Sequence, residues 1–263
     1  MTAYTAIVSA RFRMLLQYRA AAMAGVVTQV FWGLIRVMIF EAFYRSTTAS
    51  QPMELMDVIT YVWLGQAFLA MIPWNTDPEI RQMVRTGTVA YEMLKPVGLY
   101  NLWYARALAT RTAPTLLRSI PIFVLGMLFF GMKAPESMVS TVGFAAAMAG
   151  AIILSAAIST VLNISLMWTI SAEGVGRLVP AMVILFSGLA IPIPLFPDWA
   201  QKVLHVLPFA GLSDYPFRLY VGQIPPENLW MVLAHQIGWT ILLAFLGKYM
   251  VSRGIKRMTV QGG

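Results

Sequence analysis

The stretch MVSTVGFAAAMAGAIILSAAISTVLNISLMWT, residues 138–169, decides the class of fold because it contains no charged side chain. A helix needs about 20 apolar residues to cross the hydrocarbon core of a bilayer. This stretch is longer than that, and it is rich in alanine, serine and glycine, which let helices approach closely inside a membrane. We therefore predict a transmembrane helix that packs tightly against its neighbours.

The rest of the chain has the same apolar character. Of its 263 residues, 59% are hydrophobic and only 11% are charged, and the mean hydropathy is +0.70. A soluble domain carries about 25% charged residues. We expect an all-α membrane protein that forms one domain over residues 1–263. Six transmembrane helices are predicted, at residues 20–44, 55–74, 108–131, 138–169, 178–191 and 229–251.

Two further segments lie outside the six predicted spans. Residues 1–19 repeat apolar side chains at helical spacing opposite a basic polar face, as helices lying in the membrane interface do. Residues 192–227 are too apolar for a free loop and too rich in proline for a full span. We predict an N-terminal interfacial helix and an extracytoplasmic hairpin, re-entrant or interfacial, between spans 5 and 6.

The distribution of basic residues predicts the orientation. Fourteen of the 19 lysine and arginine residues fall on the side of both termini, four fall on the other side, and Arg36 lies within span 1. Because basic loops stay inside, we expect a multi-pass protein of the inner (cytoplasmic) membrane with both termini in the cytoplasm. The net charge of +8 is explained in the same way, so we expect membrane lipids and no nucleic acid as partners.

Enzymatic motifs are missing from the sequence. There is no cysteine, the two histidines are His205 and His235, and neither an HExxH metal motif nor a GxSxG nucleophile elbow is present. A P-loop is also absent, since Gly247-Lys248 is followed by Tyr249. We expect no catalytic residue, no metal site and no cofactor bound by this chain.

The segment 75–107 is longer than a loop between two spans needs to be. Thr76 or Asp77 can cap a helix, Glu79 stands at capping-box spacing from Thr76, and Gly87 ends the helix. A second helical piece over 91–95 offers apolar contacts through Met93 and Leu94. We predict that this cytoplasmic segment docks a partner; a solvated basic linker is the alternative. The predicted docking residues here are Asp77, Glu79, Arg81, Met83, Arg85 and Gly87.

Polar groups inside membrane spans are functional candidates because burying them in lipid is costly. The predicted lining of a substrate pathway is Gln29, Arg36, Tyr61, Gln66, Phe186 and Ser187. For span 1 the alternative is structural: Glu41 reaches the outer interface and Arg36 is neutralised by another part of the protein.

Three stretches carry a family resemblance. Residues 85–97, RTGTVAYEMLKPV, resemble the R-x-G…L-L-R-P cytoplasmic loop of ABC-2 type transporter permeases, with Lys95 where arginine is commoner. Residues 188–199, followed by Leu207-Pro208-Phe209, resemble that family's stretch after span 5, and residues 252–257 are similar to its C-terminus. The order and spacing of these stretches extend the resemblance over nearly the whole chain.

The resemblance implies the permease subunit of an ATP-driven ABC exporter. Two permeases, identical or paired with a sibling, would form the pathway, and separate ABC ATPase subunits would bind ATP and Mg. These ATPases would dock on the segment 75–107 and on a short loop containing Glu173 and Arg177. A drug, lipid or glycan-like amphiphile would be the substrate. The alternative is a self-sufficient secondary transporter or channel, for which no internal repeat is evident.

Overall fold

The computed structural model describes residues 3–17, 19–135, 137–168 and 173–257. Within these ranges the backbone forms α-helices, short 3₁₀ turns and loops, and the predicted all-α class is confirmed. The α-helices are α1 (Ala3–Leu16), α2 (Arg19–Ser46), α3 (Leu55–Ala67), α4 (Pro78–Thr86), α5 (Val89–Met93), α6 (Leu99–Phe129), α7 (Met138–Ser165), α8 (Glu173–Phe186), α9 (Asp198–Val206), α10 (Asp214–Tyr220) and α11 (Leu229–Gly254).

Four segments of the described chain are long and apolar enough to cross a membrane. They are Ala22–Ser46, Leu99–Phe129, Met138–Ser165 and Pro226–Gly254. These segments correspond to the predicted spans 1, 3, 4 and 6, carried by α2, α6, α7 and α11. Thr169, the predicted end of span 4, lies outside the described residues.

The predictions of one continuous helix over 55–74 and another over 178–191 are wrong. Helix α3 has 13 residues and α8 has 14. At 1.5 Å per residue each is roughly 20 Å long, shorter than a hydrocarbon core of about 30 Å. Ten of the 13 residues of α3 are buried among other helices. The apolar composition of residues 55–74 therefore reflects burial inside the protein, and α3 ends at Ala67, before the predicted end of the span.

Two predicted loop boundaries also change. Helix α6 begins at Leu99, so the loop predicted to extend to residue 107 ends at Gly98. Leu99, Leu102 and Trp103 are buried at helical spacing, which extends α6 beyond the membrane-spanning length. The expected loop at Glu173–Arg177 is instead the first part of α8, where an acidic residue suits the helix N-terminus.

Helices α6 and α7 form the centre of the bundle. Helix α6 contacts α1, α2, α3 and α7, while α7 also contacts α10 and α11. The predicted close approach at small residues is seen at Gly150, because a Cβ there would collide with the side chain of Gln236 on α11. The amide of Gln236 donates to the backbone oxygens of Ala147 (2.9 Å) and Gly211 (2.8 Å). This polar contact joins α7, α11 and the segment before α10.

The segment predicted as a hairpin contains the two short helices α9 and α10, with 3₁₀ turns at Ile193–Leu195 and Pro208–Gly211. Helix α10 is buried, and Phe217 belongs to the main hydrophobic cluster of the bundle. Helix α9 exposes Trp199, as a residue facing the membrane interface would. The proline-rich segment therefore folds into two packed helices that are too short to span a membrane.

Candidate functional site

Helix α4 is delimited by its own sequence. Asp77 is the N-cap, and its Oδ1 accepts hydrogen bonds from the backbone N–H groups of Glu79 (2.9 Å) and Ile80 (3.4 Å). Gly87 ends the helix with φ = +73°, a conformation that favours glycine. The predicted helix is confirmed, but the Thr76–Glu79 capping box is wrong, because the Thr76 hydroxyl accepts from Arg81.

The same helix is fastened to the bundle. Ile80 is fully buried in a second hydrophobic cluster with Trp103 and Ile164, residues of α6 and α7. The backbone N–H of Asp77 donates to the Asn163 side-chain oxygen of α7 at 2.8 Å. A nine-residue helix is marginal in isolation, so these contacts hold α4 against the ends of α6 and α7.

Ion pairs tie the N-terminal helix to this segment. The Arg11 guanidinium of α1 lies 2.6 Å from the Glu79 carboxylate and 3.6 Å from that of Asp77. The hydrogen bond from Arg11 holds the pKa of Glu79 below its ordinary value. Arg106 of α6 is 3.7 Å from the same carboxylate. Helices α1, α4 and α6 therefore form one electrostatically connected unit.

Glu92 holds α5 in place from inside. It is buried, and its carboxylate accepts from the Trp103 indole N–H at 3.0 Å and pairs with Arg106 at 3.1 Å and Lys95 at 3.0 Å. A buried carboxylate with cationic partners and an additional donor is satisfied in full. The orientation of Glu92 leaves the opposite side of α5 exposed.

The exposed side of this unit is formed by Arg85, Gly87, Tyr91 and Leu94. Tyr91 is 70% exposed and Leu94 is 81% exposed. Arg85 and Gly87, which the sequence predicted as docking residues, are also exposed. Sequence reasoning missed Tyr91, although its spacing from the buried Glu92 and Val89 could have revealed it.

The other predicted docking residues have structural contacts. Asp77 caps α4 and Glu79 pairs with Arg11. Arg81 folds back on Thr76, and Met83 packs against the second hydrophobic cluster. The residues Glu173 and Arg177 lie in the first turns of α8, and their side chains lie outside the described part of the structure.

A second polar group surrounds Asp214, which is fully buried. Its Oδ1 accepts from the Tyr61 hydroxyl of α3 at 3.0 Å and from the Ile193 backbone N–H at 3.2 Å. The backbone N–H of Asp214 donates to the Ser187 carbonyl at 3.1 Å, and Arg218 lies 3.5 Å from its Oδ2. Asp214 therefore joins α3, the end of α8 and α10, and sequence reasoning did not single it out.

The chain after α8 requires glycine at position 188. Gly188 has φ = +83°, and a Cβ there would collide with the Tyr61 hydroxyl. Beyond it, the Leu189 carbonyl accepts a hydrogen bond from Arg36 Nη1 at 2.7 Å. Three predicted pathway residues, Tyr61, Ser187 and Arg36, thus converge on the break that follows α8.

The remaining predicted pathway residues do not join that group. Phe186 contacts Phe209, with ring centroids 6.1 Å apart. Gln66 lies against Gly33 of α2, and Gln29 is buried in the same helix. Both amide atoms of Gln29 and the amide oxygen of Gln66 have no hydrogen-bond partner within the described ranges. Buried polar atoms without partners are costly, and because these atoms are covered by neighbouring helices, neither amide lines an open pathway in this conformation.

Comparison with known families decides the assignment. The model of a family described as "ABC-2 family transporter protein" matches residues 24–262. The chain belongs to the ABC-2 transporter family. A search of curated proteins found no match. The chain is therefore a membrane permease of an ABC transporter, a transport component and not a catalytic subunit, as the resemblance implied. Helix α1, with Arg11, lies before the matched residues.

Proposed function

We propose that this permease is the transmembrane subunit of an ATP-driven exporter and that cytoplasmic ABC ATPase subunits dock on the surface formed by Arg85, Gly87, Tyr91 and Leu94. The observation that carries the proposal is the exposure of Tyr91 on α5 and of Leu94 at its C-cap. The buried side chains of Ile80 and Glu92 hold α4 and α5 against the bundle. Exposed apolar side chains on a rigid support are typical of protein interfaces. ATP and Mg would be bound by those partners.

The proposal includes six membrane crossings. Helix α3 would be completed by residues 68–74, and α8 by the segment from Ser187 to the 3₁₀ turn at Ile193–Leu195. Irregular backbone is tolerated at membrane depth where protein covers it. Met71, Ile72 and Ile193 are fully buried, which supports this arrangement. The protein would lie in the inner membrane, with both termini in the cytoplasm.

A second permease copy, or a sibling permease, would complete the pathway. The outward side of α2 supports this proposal, because Val27, Phe31 and Trp32 are all exposed and would need lipid or another helix to cover them. The transported substrate would be a drug, lipid or glycan-like amphiphile. Such a molecule would enter between the two permeases and leave on the side of α9.

The test is assembly with the candidate ATPase, co-expressed and purified in lipid. The double variant Tyr91→Ser plus Leu94→Asp should lose the ATPase on purification and lose ATPase stimulation. Trp199→Ser, which removes an equally exposed aromatic side chain far along the chain, is the matched control and should behave as wild type. Arg81→Glu should act through the fold, since Arg81 contacts Thr76.

Two results would contradict the proposal. If the double variant retains the ATPase as fully as the Trp199 variant, the docking surface lies elsewhere on the permease. If the purified permease alone moves a solute down an ion gradient and no ATPase associates with it, the chain is a self-sufficient transporter or channel.

A further inference from the structure

Arg36 is a cation in the middle of an apolar helix. It lies 17 positions after Arg19 at the start of α2 and 10 positions before Ser46 at the end, roughly 25 Å and 15 Å along the helix. Charged side chains at such depth are rare in membrane helices and mark ligand or ion sites. The charge therefore needs a partner or a function.

The described part of the protein neutralises this cation only in part. Its guanidinium donates one hydrogen bond, to the Leu189 carbonyl, although the group carries five N–H donors. No ion pair with Arg36 is formed within the described residues. The acid nearest to it on the same helix, Glu41, lies toward Arg45 instead, at 3.8 Å. The carbonyl contact agrees with the structural alternative for Arg36 but leaves most of its donors available.

Arg36 lines a cavity of about 410 Å³ between α2 and the chain that follows α8. Phe40 and Phe43 form the α2 wall, and Ile191 and Leu195 form the opposite wall. Small-molecule sites enclose roughly 300–1,000 Å³ and combine apolar walls with a few polar groups. Among the described residues that line this cavity, Arg36 is the only charged one and the others are apolar.

We propose that this cavity binds an anionic amphiphile, a molecule with one phosphate or carboxylate group on an aliphatic chain. The anion would accept charge-assisted hydrogen bonds from Arg36, which suits oxyanions because its donors are planar and paired. The aliphatic chain would lie along Phe40, Phe43 and Leu195. Lipid of the surrounding bilayer and a transported substrate share this chemistry, and only the second assignment rests on the proposed function.

Binding is tested on the purified full-length permease in a neutral detergent. Lysophosphatidic acid and lysophosphatidylcholine with the same acyl chain are titrated and counted by native mass spectrometry. The wild type should bind one molecule of lysophosphatidic acid at least about tenfold more tightly than one molecule of lysophosphatidylcholine. Arg36→Gln should remove the preference and Arg36→Lys should keep most of it. Arg45→Gln, in the exposed arginine of the same helix, is the matched control and should leave it unchanged.

A variant that fills the cavity distinguishes a loss of ligand binding from a change in the fold of α2. Ala190→Phe leaves Arg36 in place and fills the cavity, so it should weaken binding of both lipids while the protein remains folded. The proposal is overturned if the wild type shows no preference, if Arg36→Gln retains it, or if Ala190→Phe binds as wild type. It is also overturned if Arg36→Gln changes only the fraction of dimer, which would place a second copy in the cavity.

The source of the ligand is distinguished with the assembled complex. If lysophosphatidic acid stimulates ATP hydrolysis by the wild type but not by Ala190→Phe, the cavity is on the substrate pathway. If it binds and leaves ATP hydrolysis unchanged, the cavity holds a bilayer lipid. Both results support the binding site. Failure to assemble with an ATPase would refute the proposed function and leave the binding result standing.

Discussion

Replacing Ile80 by alanine should release α4 from the bundle. Ile80 is fully buried, and the change removes three carbon atoms from the cluster that contains Trp103 and Ile164. Loss of transfer free energy plus the cavity left behind costs about 3 kcal/mol for such a substitution. That energy corresponds to a change of about a hundredfold in the local opening equilibrium, because every 1.4 kcal/mol is a factor of ten.

The assay is amide hydrogen exchange on the permease in lipid. Amides 81–86 should exchange up to about a hundredfold faster in Ile80→Ala, while amides in the middle of α7 should keep their wild-type protection. Gln82→Ala changes an exposed residue of the same helix and should have no effect. Unchanged exchange at 81–86 would refute the reasoning, since it would mean that capping by Asp77 holds α4 without its buried anchor.

Three further predictions follow from single contacts. Gly150→Ala should lower thermal stability because its Cβ would displace the Gln236 amide from the backbone oxygens of Ala147 and Gly211, while Gly238→Ala, with open space around it, should not; equal melting curves would contradict this. The lowered pKa of Glu79 means that its pairing with Arg11 stabilises the fold above the ordinary glutamate pKa of 4.5 and is lost as pH falls through the folded value. Proteolysis of α1 should therefore rise in acid for the wild type and be pH-independent over that range in a permease with Arg11→Gln. Asp214→Ala should cost about 2–4 kcal/mol, because the Tyr61 hydroxyl and the Ile193 backbone N–H lose their shared acceptor and Arg218 loses its ion pair; denaturation in detergent would detect this loss.

Much of the fold was predictable because its signals are local. A charge-free run such as 138–169 can only be buried or in lipid, so composition identifies α7 without any partner. The ends of α4 were equally readable, since Asp77, Pro78 and Gly87 act on neighbouring backbone groups. The family resemblance followed from the order of three such local patterns, and the family model over residues 24–262 confirmed it.

The positions of α3 and α8 could not be read in this way. An apolar stretch looks the same to hydropathy whether it faces lipid or lies buried in protein, and α3 is buried on almost every side. The helix therefore ends at Ala67 although the apolar sequence continues. The same ambiguity extended the predicted loop to residue 107, where α6 had already begun at Leu99.

The candidate sites divide along the same line. The sequence by itself determined an all-helical ABC-2 membrane permease, the caps of α4 and the list of polar residues inside apolar segments, because these depend on composition and near neighbours. Only the tertiary structure decided that Glu79 turns toward Arg11 while Leu94 faces outward. It also placed Asp214, distant in the chain, against Tyr61 and Ser187. Whether a side chain is buried against protein depends on contacts between residues that are far apart in the sequence. No local pattern encodes such contacts.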